Sequence, residues 1–194
     1  MGDPRSVCLH AEKRAGDLMG RRVLVTGCGP SGQLCSLVAR AAGAVEVVAT
    51  DIAPFTLSMA EKVGATRVIN MAVTPEGLSE YHADKGHFDV HFECSGAAPA
   101  LIAAIPALRP RAVLVQLGLG GDMTLPVQAM TAKEISFRGS FRFHEEFATA
   151  IAMMQGGQID VIPLITHSFA LDEANAAFEM AADRSQAIKA QIVF

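Results

Sequence analysis

The apolar positions of this chain follow two alternating rhythms. Short apolar-rich runs, Val23 to Val25, Val45 to Ala49, Val68 to Ile69, Phe88 to Cys94 and Ala112 to Leu117, are separated by longer stretches in which apolar residues recur at helical spacing. Short runs bounded by turn signals read as strands buried on both faces, and a 3.6-residue period reads as an amphipathic helix. Strands are therefore expected near 21–27, 45–51, 67–70, 88–94 and 111–117, after a helical lead-in over 4–16. Each gap between them is long enough for a crossover helix. Ala97 to Leu108 is one, with Pro99 in its first turn and Leu101, Ile105 and Leu108 on one side. Such repetition predicts an α/β fold, a doubly wound parallel sheet with right-handed crossovers.

A sixth strand differs in kind. Ile135, Phe137, Phe141 and Phe143 alternate with Ser136, Arg138, Ser140 and Arg142, with Gly139 interrupting, which predicts a half-exposed strand at the sheet edge. Such an edge can be closed by a second copy of the chain, so a dimer through residues near 123–140 is expected. Phe147, Ala150, Ile151 and Met154 then mark a helix ended by Gly156-Gly157. The remainder reads as a strand near 164–171, a helix over 173–183 capped by Asp172, and a strand from Ala187 to Phe194. Those two strands fit no βαβ unit and read as edges of another sheet. The expected organisation is a lead-in linker helix over 1–17, a sheet domain over 18–157 and a separate C-terminal segment over 158–194.

Composition narrows the class. The chain has 194 residues, 51% hydrophobic and 19% charged, which suits a soluble α/β protein. Its net charge of -4 comes from 16 basic and 20 acidic residues without runs, so no basic stripe favours nucleic acid. No apolar stretch approaches the roughly 18 residues that cross a bilayer, so no membrane is implied. Asp3, Arg5, His10, Glu12, Lys13 and Arg14 interrupt any secretory signal. A cytoplasmic location is expected. Cys8, Cys28, Cys35 and Cys94 form no Cys-x-x-Cys pair and read as reduced thiols rather than a zinc cluster.

The candidate chemistry begins at Gly27-Cys28-Gly29-Pro30-Ser31-Gly32, a Gly-x-Gly-x-x-Gly loop between the first apolar run and the helical face Leu34, Leu37, Val38, Ala41 and Ala42. The first glycine allows a tight turn, the second lets backbone approach a pyrophosphate, and the third lets helix pack against strand. Phosphate then meets the positive end of a helix dipole. Asp51 closes the second run nineteen residues after Gly32, where a carboxylate accepts from both ribose hydroxyls. It can equally cap the following helix, which carries Pro54. Because a carboxylate repels a 2′-phosphate and Ile52 to Ser58 contain no Arg or Lys, NAD is expected over NADP.

Other signals carry less. Tyr81 and Lys85 match a Tyr-x-x-x-Lys pair, but fall too early in the fold and read as part of a solvated helix. Cys8 with His10, and His91 with Glu93, each supply only two metal-type ligands and read as structural. Cys28 reads as a small residue tolerated near phosphate. Class I methyltransferases also open with a glycine-rich turn and an acidic second strand, so S-adenosylmethionine is an alternative ligand. A nucleotide-binding module without chemistry is another.

Four strings, Arg22 to Gly32, Phe92-Glu93-Cys94-Ser95-Gly96, Lys133 to Phe143 and Gln186 to Phe194, resemble the zinc-dependent polyol dehydrogenases of the medium-chain dehydrogenase/reductase superfamily. The resemblance spans nearly the whole chain. It implies a Rossmann domain with a six-stranded parallel sheet, and a C-terminal remnant of a GroES-like catalytic domain. It implies NAD as cofactor, bound by Gly27, Gly29, Pro30, Ser31, Gly32, Asp51, Ile52, Ser95, Gly96, Leu117, Leu119 and Arg142. Zinc is implied only in the intact enzyme, held by an upstream domain of roughly 150 residues. No catalytic residue or metal ligand is therefore assigned to this chain, which alone is expected to be inactive. In the intact enzyme a secondary alcohol, a polyol or a sugar acid such as L-idonate, would pass hydride to NAD. A homodimer or homotetramer through the edge 134–140 is implied too. Asp3-Pro4-Arg5 departs from the family's Glu-Pro-Leu, which leaves the acidic metal-shell role of Asp3 unsupported.

Overall fold

The computed structural model describes residues 2–194, with side chains from Ser6 onward, so the position of Asp3 falls outside the described side chains. In chain order the elements are α1 (Gly2–Ala15), β1 (Arg22–Thr26), α2 (Pro30–Ala41), β2 (Glu46–Asp51), α3 (Pro54–Val63), β3 (Arg67–Asn70), β4 (Phe88–Glu93), α4 (Ala98–Ala104), β5 (Leu108–Gln116), α5 (Val127–Ala132), β6 (Ser136–Gly139), α6 (Glu146–Gln155), β7 (Ile165–Ala170), α7 (Ala174–Ala182) and β8 (Lys189–Val193). Six strands pair in the order β3-β2-β1-β4-β5-β6, all parallel, as the alternation of short runs and helical stretches predicts. The chain winds outward one way from β1 and the other way from β4. The crevice between these two strands is thus the topological switch point, where open α/β sheets bind ligands.

The strands are apolar throughout because both faces are covered. Val23 and Val25 face a core shared with α1, α2, α3 and α6, and Leu24 faces a second core with Leu101, Ile105 and Met130. Fully burying a side chain of this size contributes about 1.5–3 kcal/mol. In α2 the buried set is Leu34, Cys35, Val38 and Ala39, while the expected Ala41 is exposed. α1 packs against α2 and α6. It buries Cys8, Leu9, Ala11 and Ala15, and Lys13 pairs with Glu145 (2.9 Å) and Glu146 (3.1 Å) on α6 and its N-cap. Burial alone would raise the Glu146 carboxyl, but bonds from the His144 N–H, its own N–H, Lys13 and His10 outweigh it and hold the group down at about 2. At the amino-terminal end of the sheet, far from the switch point, buried Asp89 meets Arg109 at 2.7 Å and the Arg22 N–H at 2.8 Å.

Several expected elements are corrected. β6 ends at Gly139, not at Phe143: Ser140 makes one further backbone bond to Gln116, and the chain then turns away, with Arg142 at φ +58°. Arg142 therefore shares no strand face with Ser140. β5 begins at Leu108, earlier than expected. The ladder to β4 slips between Phe88 and Val90, and this bulge, with Arg111 at φ +64°, accommodates Pro110, which has no N–H to pair. Tyr81 lies in a 3-10 helix, Ser79–Lys85, and is buried rather than solvated. Burial pushes its phenol up, and its hydroxyl accepts from Arg67 at 3.1 Å, an arrangement that suits packing and not proton transfer.

The largest correction concerns the C-terminal segment. β7 and β8 do form a βαβ unit: they pair with each other in parallel, with α7 as the crossover. The capping role expected of Asp172 is not filled by a side chain: the N-cap of α7 is Glu173, whose carboxylate turns back to accept from the Ala170 N–H at 3.0 Å, at the start of the preceding 3-10 turn. The two-stranded sheet leaves Leu171 and Phe194 exposed, with Phe169 and Ile192 half-buried. Among the described residues no helix is long and apolar enough to cross a membrane.

Candidate functional site

Two glycines show why the loop after β1 has its sequence. Gly27 sits at φ +85°, and a Cβ there would lie 2.7 Å from the Ser95 backbone, so the loops after β1 and β4 touch. A Cβ on Gly32 would fall 1.8 Å from the Gly27 carbonyl oxygen. Only hydrogen fits, and α2 can therefore start directly over the turn. Its N-cap is Gly29, with Pro30 at the first helical position and no side-chain cap. The first amides of α2 thus keep their donors unspent by side chains, and a Cβ at Gly29 would meet only open space.

Asp51, half-exposed at the end of β2, bonds this loop and its own. One carboxylate oxygen accepts from the Cys28 N–H at 2.6 Å, and the other from the Ile52 and Ala53 N–H groups at 2.6 and 3.1 Å. It does not cap α3, whose N-cap is Ala53 with Pro54 following. A carboxylate offers about four acceptor sites, so three bonds leave room for an incoming hydroxyl. Ile52 beside it is 70% exposed, an apolar face at the rim of the crevice.

The remaining expected residues occupy the same end of the sheet. Ser95 and Gly96 follow β4, Leu117 and Leu119 follow β5, and Arg142 lies beyond β6. The structure brings Gly27 against Ser95 and Gly96 against Leu119. Ser95 is less free than the sequence implies, because its N–H and hydroxyl both donate to Glu93. Arg142 is joined to none of these; its exposed guanidinium lies over the Phe141 ring at 5.4 Å.

Sequence reasoning missed the polar core beneath the crevice. Glu93, fully buried, sits with Thr26, His91 and Gln116 where β1, β4 and β5 end. The signal was present as four polar side chains in the most apolar strands, two of which, His91 and Glu93, read from the sequence only as a structural pair. The Thr26 hydroxyl donates to Glu93 and lies 2.9 Å from His91 Nε2. A hydroxyl has one proton, so His91 must carry its own on Nε2, which leaves buried Nδ1 without a partner. Burial pushes the imidazole down to about 3, and it stays neutral. Unfolded histidine titrates near 6.5. The folded state therefore resists a proton that the unfolded chain accepts, and stability is complete above about 6.5 and is lost as pH falls toward 3. A His91→Gln variant should show a flatter urea midpoint between pH 6.5 and 4.5 than the parent; parallel curves would refute the assignment.

The four thiols surround the same loop: Cys8 donates to the Ser31 carbonyl at 3.4 Å, Cys28 to the Thr50 carbonyl at 3.6 Å, and Cys94 lies 3.8 Å from Cys35. Burial pushes Cys28 well up, so it packs as a neutral side chain. Among the described residues no three His, Cys, Asp or Glu side chains converge to hold a metal ion. The zinc implied by resemblance has no ligand set here, and no step is assigned to it.

Comparison with known proteins agrees with this architecture. L-idonate 5-dehydrogenase (NAD(P)(+)) of Escherichia coli is 38% identical over 193 residues, covering 99% of this chain and 56% of that protein. Human sorbitol dehydrogenase is 37% identical over 183 residues, covering 91% of this chain and 51% of that protein. The crystal structure of the Escherichia coli L-idonate 5-dehydrogenase superimposes with a TM-score of 0.93 at 38% identity, over 100% of this chain and 56% of that one. The chain thus spans about half the length of the curated relatives it matches. Residues 30–156, from the first turn of α2 to the end of α6, match the family model described as zinc-binding dehydrogenase, and with the switch-point crevice in place the chain belongs to that family.

Proposed function

We propose that this chain is the NAD-binding part of a zinc-dependent polyol dehydrogenase, one that passes hydride from a secondary alcohol to the nicotinamide. The observation that carries the reading is the pairing of an unobstructed glycine cradle with Asp51, which is braced by three N–H groups yet still open to solvent. Gly27, Gly29, Pro30, Ser31 and Gly32 shape the pyrophosphate seat, with donors from the start of α2. Asp51 grips the adenosine ribose, and Ile52 offers apolar surface to the base. Gly96, Leu117 and Leu119, with the Ser95 main chain, form the opposite wall, and Arg142 stands at the nicotinamide end. NAD, when bound, supplies the hydride acceptor. The substrate is a polyol or sugar acid, with L-idonate first, since that compound names a relative matching 99% of the chain.

NAD is favoured over NADP by Asp51 and by the absence of Arg or Lys between Ile52 and Ser58. The third glycine and the all-parallel six-stranded sheet distinguish the site from an S-adenosylmethionine pocket. Free thiols at all four cysteines suit the cytoplasm. The exposed edge at β6, where Phe137 is 47% exposed, is the surface through which two copies pair. Sedimentation should give twice the mass of one chain, and a single-chain mass would refute the pairing. The functional reading is tested by calorimetric titration of the chain with NADH, NADPH and S-adenosylmethionine. NADH should bind tightest. Tighter NADPH would overturn the cofactor choice, and binding of S-adenosylmethionine alone would overturn the dehydrogenase reading.

A further inference from the structure

Glu93 is the most heavily engaged carboxylate among the described residues, and no chemistry has been asked of it. One oxygen accepts from the Thr26 hydroxyl (3.4 Å), the Ser95 N–H (2.9 Å), the Ser95 hydroxyl and the Gly96 N–H (3.1 Å). The other accepts from the Gly96 N–H (3.1 Å) and from Gln116 Nε2 (2.7 Å), which also donates to the Gly118 carbonyl at 2.8 Å. These donors come from β1, from the loop after β4, and from the end of β5. The Glu93 carbonyl meanwhile accepts from the Leu117 and Gly118 N–H groups at 2.8 and 2.9 Å. One residue therefore ties together every segment that walls the crevice on the β4–β5 side.

The donor set is unusual in what it lacks. Among the described residues no arginine or lysine contacts Glu93; its carboxylate is met by main-chain N–H groups, two hydroxyls and an amide. Those groups have been turned inward, and a buried charge costs much unless such bonds are complete. Each donor is thereby held in one orientation, and Ser95, exposed at the surface, has both its N–H and its hydroxyl fixed from below. A loop with these bonds unmade would sample many conformations, and ordering it on binding would reduce affinity.

We propose that Glu93 is a positioning residue: its buried carboxylate holds the Ser95–Gly96 main chain and the Gln116 side chain in the arrangement that a dinucleotide meets, so the wall opposite the glycine cradle is preformed. This rests on the dinucleotide reading of the crevice. Glu93→Gln keeps the shape but places an NH2 among donors, and Gln116 cannot turn its amide to accept without setting its oxygen against the Gly118 carbonyl. Leu101→Ala, a buried change on α4 in the second core, is the control for general loss of stability.

The full 194-residue chain and both variants are titrated with NADH at a temperature where circular dichroism shows all three folded, and amide exchange at Ser95 and Gly96 is followed by NMR. For Glu93→Gln we expect NADH binding about tenfold weaker, the loss of roughly one charge-assisted bond, with faster exchange at both amides. Leu101→Ala should do neither. Equal NADH affinity in Glu93→Gln and the parent, or unchanged exchange at Ser95 and Gly96, overturns the role of Glu93. So does an equal weakening by Leu101→Ala. A parent chain that takes up no NADH overturns the reading of the crevice instead, and the exchange rates then still decide whether Glu93 fixes the loop.

Discussion

Gly32→Ala should abolish dinucleotide binding and destabilise the fold by about 3 kcal/mol, at the upper end for overpacking a tight site. The added methyl would lie 1.8 Å from the Gly27 carbonyl oxygen and 2.9 Å from its carbon, and neither atom belongs to a flexible side chain. Either the turn opens or α2 slides away from β1. Both movements shift the first amides of the helix, and both disturb Gly27, whose own N–H is held by the Thr50 carbonyl at 2.8 Å. Gly29→Ala is the matched comparison, since a methyl there meets no protein atom within 4 Å. It should leave stability within about 1 kcal/mol of the parent yet weaken NADH binding, because its open space is the space of the ligand. Urea unfolding and NADH titration of the two variants separate the roles. A Gly29→Ala variant that binds as well as the parent would show that no ligand approaches the loop there.

Asp51→Ala should weaken NADH binding by about 100-fold and erase the preference over NADPH. Two hydroxyl bonds to a carboxylate, at roughly 1.5 kcal/mol or more each, account for a change of that size. The same substitution strands the Cys28 N–H, bonded at 2.6 Å in the parent, and so also costs about 1–3 kcal/mol of stability. Asp51→Asn tells the two contributions apart. Its amide oxygen can still accept from the Cys28 N–H, but its NH2 then faces the Ile52 and Ala53 N–H groups, so it should recover only part of the stability and none of the discrimination against a 2′-phosphate. If Asp51→Ala lost stability alone and kept its affinity for NADH, the carboxylate would be a brace for the loop and nothing more.

Much of this was legible because the relevant signals are local. A glycine loop between an apolar run and a helical face announces β1, the turn and α2, and steric limits leave little choice once Gly32 must pass under Gly27. Parallel strands buried on both faces are readable as runs, and the alternation of runs and helical stretches announces βαβ units, though not the order of the strands in the sheet. Edges were less legible. The alternation from Ile135 to Phe143 continued past the true end of β6, because a half-exposed loop with residues pointing in and out has the same period as a strand. Pro110 hid the start of β5, since a bulge admits a residue that an uninterrupted ladder refuses. Asp172 is an apt capping type, but a 3-10 turn, Leu171–Glu173, precedes α7 and puts Glu173 at its N-cap, with no side chain bonding the first amides.

The site was half visible. Asp51 stands out in the sequence because a carboxylate closes the second apolar run, and the structure places it against the glycine loop. Its bond to the Cys28 N–H could not be found, for that contact joins residues from different strands and depends on the closeness of two loops. Glu93, His91, Thr26 and Gln116 were legible only as oddities in apolar strands. Their shared network exists because β1, β4 and β5 lie side by side, which sequence order does not state. Ser95 shows the consequence: chosen as a ligand contact, it spends both donors on the protein itself.

A dinucleotide is expected in the crevice at the carboxyl ends of β1 and β4. The most direct measurement is an NMR titration of the isotopically labelled chain with NADH, following backbone amides. Gly29, Ser31, Gly32, Ile52 and Gly96 should shift together and saturate at one ligand per chain. Shifts confined to residues away from that crevice, or amides of the glycine loop unmoved at saturating NADH, would contradict it.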